Sequence, residues 1–138
     1  MPYFLWTNDL VTGNRGIDSD HRSLTSAIDE VIAAAEAGED ARSIGAKIQH
    51  LSACALAHFE RETSFLVKPD NDESIAHRND HLRLSSEIDS LKLQIESGVQ
   101  KNPAEVYDFL KTWLRTHIIS FDLEMVKSFP VAPDKSLP

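Results

Sequence analysis

The sequence predicts an all-α protein: an up-down-up-down four-helix bundle preceded by an N-terminal arm. Apolar residues recur every three and four positions between residues 18 and 128, which is typical of amphipathic helices. Breakers divide this pattern into four segments, and the short connections favour antiparallel neighbours. We therefore expect a single domain over residues 1–138, with the arm at 1–17, the bundle at 18–128 and a proline-rich tail at 129–138.

The first two helices are predicted from two features: the residues that line one face of each helix, here called its stripe, and the capping or breaking residues at its ends. The first extends from about Asp18, a candidate N-cap, to Ala37, with Gly38 as the stop. Its stripe is His21, Leu24, Ile28, Val31, Ile32 and Ala35. The second extends from about Asp40 to Val67 before the break at Lys68-Pro69. Its stripe is Ile44, Ile48, Leu51, Ala55, His58 and Glu62.

The last two helices are predicted from the same two features. The third extends from about Glu73 to Ser97 and stops at Gly98. Its stripe is His77, His81, Leu84, Ile88, Leu91 and Ile95. The fourth begins at Asn102-Pro103, a cap followed by proline at the first helical position, and ends near Ser128. Its stripe is Val106, Leu110, Trp113, His117 and Phe121. The arm before the first helix is rich in aromatic residues, so we expect it to pack across the bundle.

The composition argues against several classes of protein: disulfide-bonded, nucleic-acid-binding, membrane-spanning and secreted. A single cysteine among 138 residues cannot form an internal disulfide. The formal net charge of −8 argues against nucleic-acid binding, which needs clustered lysine and arginine. The sequence has neither an apolar run of about 20 residues, the length that spans a bilayer, nor a signal-peptide pattern. We therefore expect a cytoplasmic protein that neither inserts into membranes nor binds nucleic acid.

Polar residues on the predicted core stripes are the most informative feature. Five histidines and two carboxylates fall on buried faces, where they are costly unless something binds them. In an up-down-up-down bundle these positions all lie at the same end of the molecule. They are His21, His58, Glu62, His77, His81, His117 and Asp122. The sixth histidine, His50, lies off the stripe and is interpreted as a surface residue.

The spacing of these residues predicts how they face the interior. His58 and Glu62, like His77 and His81, are four residues apart and therefore share a helix face. His117 and Asp122 are five residues apart, which separates them by about 140° in a regular α-helix. We expect those two to flank the inward face, with the apolar residues Leu114, Ile118 and Phe121 between them.

The ligand types favour iron. Seven groups exceed one tetrahedral zinc site, and five imidazoles do not suit calcium or magnesium. Mixed imidazole and carboxylate ligands suit iron, with manganese and copper as alternatives. Two six-coordinate irons offer twelve positions. Five histidines, two bridging carboxylates and one bridging oxygen leave one position free, where a small molecule could bind.

Local motifs in the order of the chain make the sequence resemble the bacterial hemerythrins. They are Trp6 with Thr12-Gly13, Ile17–His21, the HFxxE of His58–Glu62, the HxxxH of His77–His81 and the WxxxHxxxxD of Trp113–Asp122. The resemblance implies two iron ions joined by an oxo or hydroxo group. His77, His81 and His117 would hold one iron, His21 and His58 the other, and Glu62 and Asp122 would bridge them. The resemblance also implies an oxygen pocket lined by Phe59, Trp113, Leu114 and Ile118.

The function implied by the resemblance is reversible dioxygen binding for storage, delivery or scavenging, without enzymatic activity. One alternative is an oxygen- or redox-sensing module that signals to an unidentified protein acceptor. A weaker alternative is a di-iron oxidase, a peroxidase or an enzyme that handles nitric oxide.

Four further residues near the ligands receive simpler interpretations. Asp20, Asp80 and Glu60 are expected to be solvated, although one of them could orient a ligand histidine. Cys54, one turn before His58, is expected to be a small core residue, with a redox role as the alternative.

Overall fold

The computed structural model describes residues 3–65, 72–99 and 101–127, and within these ranges it contains helices and no strand. The long helices are α1 (Arg15–Glu36), α2 (Ala41–Phe65), α3 (Asp72–Glu96) and α4 (Pro103–His117). A π-helical segment, Ile118–Asp122, continues α4 into the short helix α5 (Leu123–Lys127). The predicted all-α four-helix architecture is confirmed.

The apolar stripes of the helices meet in one core. Helix α2 packs against both α1 and α3, and α4 packs against α1. On the fourth side, the indole N–H of Trp113 in α4 donates to the Leu84 carbonyl in α3 at 3.0 Å. The most deeply buried apolar side chains come from all four helices; they include Leu24, Ile28, Ile32, Ile48, Leu51, Leu84, Ile88, Leu110 and Ile118.

Most of the observed helix ends agree with the sequence signals. Gly38 after α1 and Gly98 after α3 adopt φ values of 71° and 92°, which other residues rarely take. The Asn102 side chain accepts a hydrogen bond from the Glu105 N–H at 2.8 Å and so caps α4.

The N-cap predicted for the first helix is wrong. Helix α1 begins at Arg15, and its cap is Asn14, whose side chain accepts from the Ile17 N–H at 3.1 Å. Asp18 lies inside the first turn, and its carboxylate accepts hydrogen bonds from the Thr12 N–H and hydroxyl at 2.9 and 2.7 Å. A carboxylate is favourable both at an N-cap and within the first turn of a helix, because backbone N–H groups face it in both positions. The sequence alone therefore does not show which of these two positions Asp18 occupies.

The arm preceding α1 packs across the bundle. Phe4 and Leu10 are buried in the core, and Leu10 ends a short 3₁₀ helix, Asn8–Leu10. Arg115 of α4 holds the arm through hydrogen bonds to the Thr7 hydroxyl at 3.1 Å and the Asp9 carboxylate at 2.7 Å.

Three predicted features lie outside the described residues: the tail at 129–138, the break at Lys68-Pro69, and the helix ends near Val67 and Ser128. No described helix is both long enough and apolar enough to cross a bilayer.

Candidate metal centre

The structure brings together all seven residues that the sequence singled out as candidate ligands, and all seven are buried. His21 comes from the first turns of α1, and His58 and Glu62 from the end of α2. The other four are His77 and His81 from the start of α3, His117 from the end of α4, and Asp122 from the π-helical segment. Antiparallel packing thus brings these four helix ends into one layer.

The two carboxylates lie at the middle of this layer, and each divides its oxygens between two groups of histidines. Asp122 Oδ2 is 2.8 Å from His21 Nε2, and Glu62 Oε2 is 2.7 Å from His58 Nε2. The other oxygens face the remaining imidazoles. Asp122 Oδ1 lies 2.9 Å from His77 Nε2 and 3.1 Å from His117 Nε2, and Glu62 Oε1 lies 2.9 Å from His81 Nε2.

Two overlapping ligand sets result. One consists of His77, His81, His117, Glu62 and Asp122; the other consists of His21, His58, Glu62 and Asp122. Within each set the ligand atoms lie within 4.8 Å of one another. Both carboxylates belong to both sets, and each set is a group of buried residues that could hold a metal ion.

The predicted orientation of His117 and Asp122 is wrong. In a regular α-helix, on which the prediction rests, residues five apart diverge. Instead the Leu123 N–H bonds to the Ile118 carbonyl, the five-residue step of a π-helix. The wider turn returns Asp122 to the face of His117, which explains their 3.1 Å contact. Both side chains point inward.

The unpaired polar atoms of the layer fit a metal ion. Buried nitrogen and oxygen atoms normally have hydrogen-bond partners, because desolvating them without one is costly. Here the buried atoms without a hydrogen-bond partner include the Nε2 atoms of His21, His58, His77 and His117, Glu62 Oε2, and both carboxylate oxygens of Asp122. Cations bound between these atoms would satisfy them, and imidazole nitrogen with carboxylate oxygen is a ligand set that iron accepts.

Comparisons with known proteins agree with this geometry. Residues 12–126 match the family model described as the hemerythrin HHE cation binding domain. The chain belongs to the hemerythrin family. This is a family of oxygen-binding proteins with a non-haem iron centre, and the buried cluster of this member is able to hold metal.

Three relatives are each similar to most of the chain. It is 25% identical to a bacteriohemerythrin of Pseudomonas paraeruginosa over 88% of this chain and 78% of that protein. It is 24% identical to a bacteriohemerythrin of Clostridium acetobutylicum over 89% of this chain and 98% of that protein. A hemerythrin-like protein of Naegleria gruberi is 23% identical over 88% of this chain and 89% of its own length. No solved structure matches at a significant level.

The electrostatics of the hemerythrin cluster keep its carboxylates ionised. Burial alone would raise the pKa of Glu62 and Asp122, but the surrounding imidazoles hold both pKa values below the usual range. For His58 the balance is similar. Burial lowers its pKa, whereas the hydrogen bond to Asp20 and the close carboxylate of Glu62 raise it, and the result is about 9. His81 is different: burial dominates and lowers its pKa. Two anionic carboxylates at the centre of the layer favour a cation.

Asp20, Asp80 and Glu60 were expected to be solvated, with orientation of a ligand histidine as the alternative for one of them, and two of the three contact ligand imidazoles. Asp20 accepts a hydrogen bond from His58 Nδ1 at 3.0 Å, and Asp80 accepts one from His117 Nδ1 at 2.6 Å. Glu60, the third residue of that group, is exposed. The available signal was the repeated Asp-His dipeptide, in which each aspartate immediately precedes a candidate ligand.

The four predicted pocket residues are buried and belong to one apolar cluster. The Phe59 ring stacks on His81, with centroids 4.3 Å apart and planes at 12°, and lies 5.8 Å from the His117 ring. Trp113, Leu114 and Ile118 follow α4 towards the ligand layer. Phe121 is only partly buried, and its ring lies 5.4 Å from that of His77.

His50 was expected to be a surface residue and Cys54, one turn before His58, a small core residue. The His50 side chain is 60% exposed. Cys54 is partly buried against the core, and its Sγ is 3.7 Å from His50 Nε2.

Proposed function

We propose that this hemerythrin binds dioxygen reversibly at a pair of iron ions, for storage, delivery or scavenging, and is not an enzyme. In this proposal His77, His81 and His117 would hold one iron, and His21 and His58 would hold the other. Glu62 and Asp122 would be shared by the two irons, together with an oxo or hydroxo group. When bound, a ferrous pair would supply the two electrons that dioxygen takes up on binding and returns on release.

The observation that carries the proposal is the division of oxygens within each carboxylate. Glu62 and Asp122 each direct one oxygen towards the three-histidine group and the other towards the two-histidine group. A single cation would need one set only. The unequal number of histidines leaves the two-histidine position with fewer protein ligands, which is where dioxygen would bind.

The surrounding side chains favour binding over turnover. The predicted wall consists of Phe59, Trp113, Leu114 and Ile118, and among these four only Trp113 carries a polar hydrogen. That hydrogen is already donated to the Leu84 carbonyl. The wall therefore offers bound dioxygen no acid to protonate it, and its apolar surface excludes water.

The test is iron content followed by an optical spectrum of the reduced, iron-loaded protein cycled between air and vacuum. We expect roughly two irons per chain, as the two ligand sets require, and an absorption band that appears in air and disappears under vacuum. A band that forms once and does not reverse would overturn reversible binding. One tightly bound zinc with no iron uptake would overturn the di-iron centre.

A matched pair of histidine variants tests the ligand assignment. His58→Ala removes a buried imidazole 2.7 Å from Glu62, and we expect it to lose the reversible band. His50→Ala removes the exposed imidazole on the same helix and should leave the band unchanged. Equal effects of the two substitutions would contradict the assignment.

The alternatives correspond to other outcomes of the same experiment. Sustained consumption of peroxide or nitric oxide with an added reductant, faster than dioxygen release, would indicate an enzyme. Oxygen-dependent association with a partner protein would indicate a sensing module. The cytoplasmic location and the absence of nucleic-acid binding remain predictions from composition.

A further inference from the structure

Two aspartates form matching connections between the metal centre and the protein surface. Asp20 in α1 precedes His21 and contacts His58 of α2, whereas Asp80 in α3 precedes His81 and contacts His117 of α4. Each aspartate thus reaches from its own helix to a candidate ligand on the next helix of the chain. His58, which Asp20 contacts, belongs to the two-histidine position. His117, which Asp80 contacts, belongs to the three-histidine position.

An arginine fixes each aspartate from the other side. Arg61 Nε donates to Asp20 Oδ2 at 2.8 Å, and Arg61 Nη2 is 2.8 Å from Asp20 Oδ1. Arg83 Nε donates to Asp80 Oδ1 at 2.7 Å. The aspartate side chains are only 24% and 10% exposed. Each carboxylate is therefore held between a buried imidazole and a surface guanidinium.

This arrangement settles which nitrogen of each imidazole is free for a metal. An ionised carboxylate can only accept, so Nδ1 of His58 and of His117 carries the proton. Their Nε2 atoms are left to face Glu62 and Asp122, and these are the nitrogens that would bind a metal. A carboxylate at Nδ1 also makes the imidazole a stronger electron donor, and a stronger donor stabilises the higher oxidation state of a metal.

We propose that Asp20 and Asp80 are positioning residues, one for each metal position, that hold His58 and His117 in the ligating orientation and favour the oxidised state of the bound metal. The proposal rests on the di-iron centre proposed above. It does not depend on reversible dioxygen release.

Two substitutions at each aspartate separate orientation from charge. Asp80→Ala and Asp20→Ala remove the acceptor, and we expect the dissociation constant for ferrous iron to rise about 10- to 100-fold. Asp80→Asn and Asp20→Asn retain an acceptor oxygen but remove the charge. They should retain iron with a smaller loss of affinity and raise the reduction potential of the centre. Asp89→Asn, an exposed position on α3, is the control and should change neither quantity.

Affinity is measured anaerobically by competition with a ferrous chelator, and potential by spectroelectrochemistry of the loaded protein. Unchanged affinity in both alanine variants would overturn the positioning role. Unchanged potential in both asparagine variants would overturn the electronic role, even where thermal stability falls, because a merely structural contribution does not move the potential. If the parent protein binds iron but does not release dioxygen, the proposed function fails and both measurements still test the aspartates.

Discussion

The two ends of the bundle are built from the same helical stripes but are stabilised in opposite ways. At one end the stripes carry residues such as Ile32, Ile48 and Leu110, whose burial is favourable by about 1.5–3 kcal/mol each. At the other end they carry imidazoles and carboxylates with unpaired buried atoms, each of which costs about 1–3 kcal/mol. Burial therefore stabilises the apolar end directly, whereas the ligand end would gain stability from a bound cation.

The largest effect should follow from changing the shared carboxylate at the ligand end. Glu62→Gln removes a charge that both ligand sets use, so we expect iron content to fall from roughly two per chain to less than one. Glu60→Gln alters an exposed carboxylate on the same helix and should leave iron content unchanged. Full iron content in Glu62→Gln, measured by elemental analysis after desalting, would contradict the bridging role.

The π-helical segment offers a second way to disturb the ligand end. Inserting one alanine after Ser120 rotates Asp122 by about 100°, away from His117, and should lower iron content below that of the parent. Deleting the exposed Ser120 converts the five-residue step to four, which a regular α-helix also places on one face. We expect the deletion variant to retain more iron than the insertion variant. The reverse order would show that the wide turn is not what positions Asp122.

The smallest effect on iron should come from the apolar end. Leu110→Ala empties a fully buried site, and we expect the free energy of unfolding to decrease by about 2–5 kcal/mol. Iron content per folded chain should remain that of the parent. Chemical denaturation measures the stability and elemental analysis the iron content. A loss of iron without a loss of stability would contradict the different roles of the two ends.

The sequence predicted well what depends on periodicity and poorly what depends on local geometry. The stripes predicted the four helices, and the ligand layer followed because antiparallel order places the polar ends together. The predicted orientation of His117 and Asp122 was wrong because 3.6 residues per turn does not hold in this segment, and a π-helical turn leaves no obvious compositional signal. The sequence left open that one of Asp20, Asp80 and Glu60 orients a ligand histidine but did not show which, because periodicity within one helix does not report contacts with the next.

Arg115, two positions before the candidate ligand His117, donates a hydrogen bond to Thr7, which lies 108 positions earlier in the chain. His21 and Asp122, which lie 2.8 Å apart, are likewise drawn from the first and last helices of the bundle. Contacts of such long range cannot form before residues 115–122 have been synthesised. Both ligand sets include Asp122, so both stay incomplete until this segment has packed against α1.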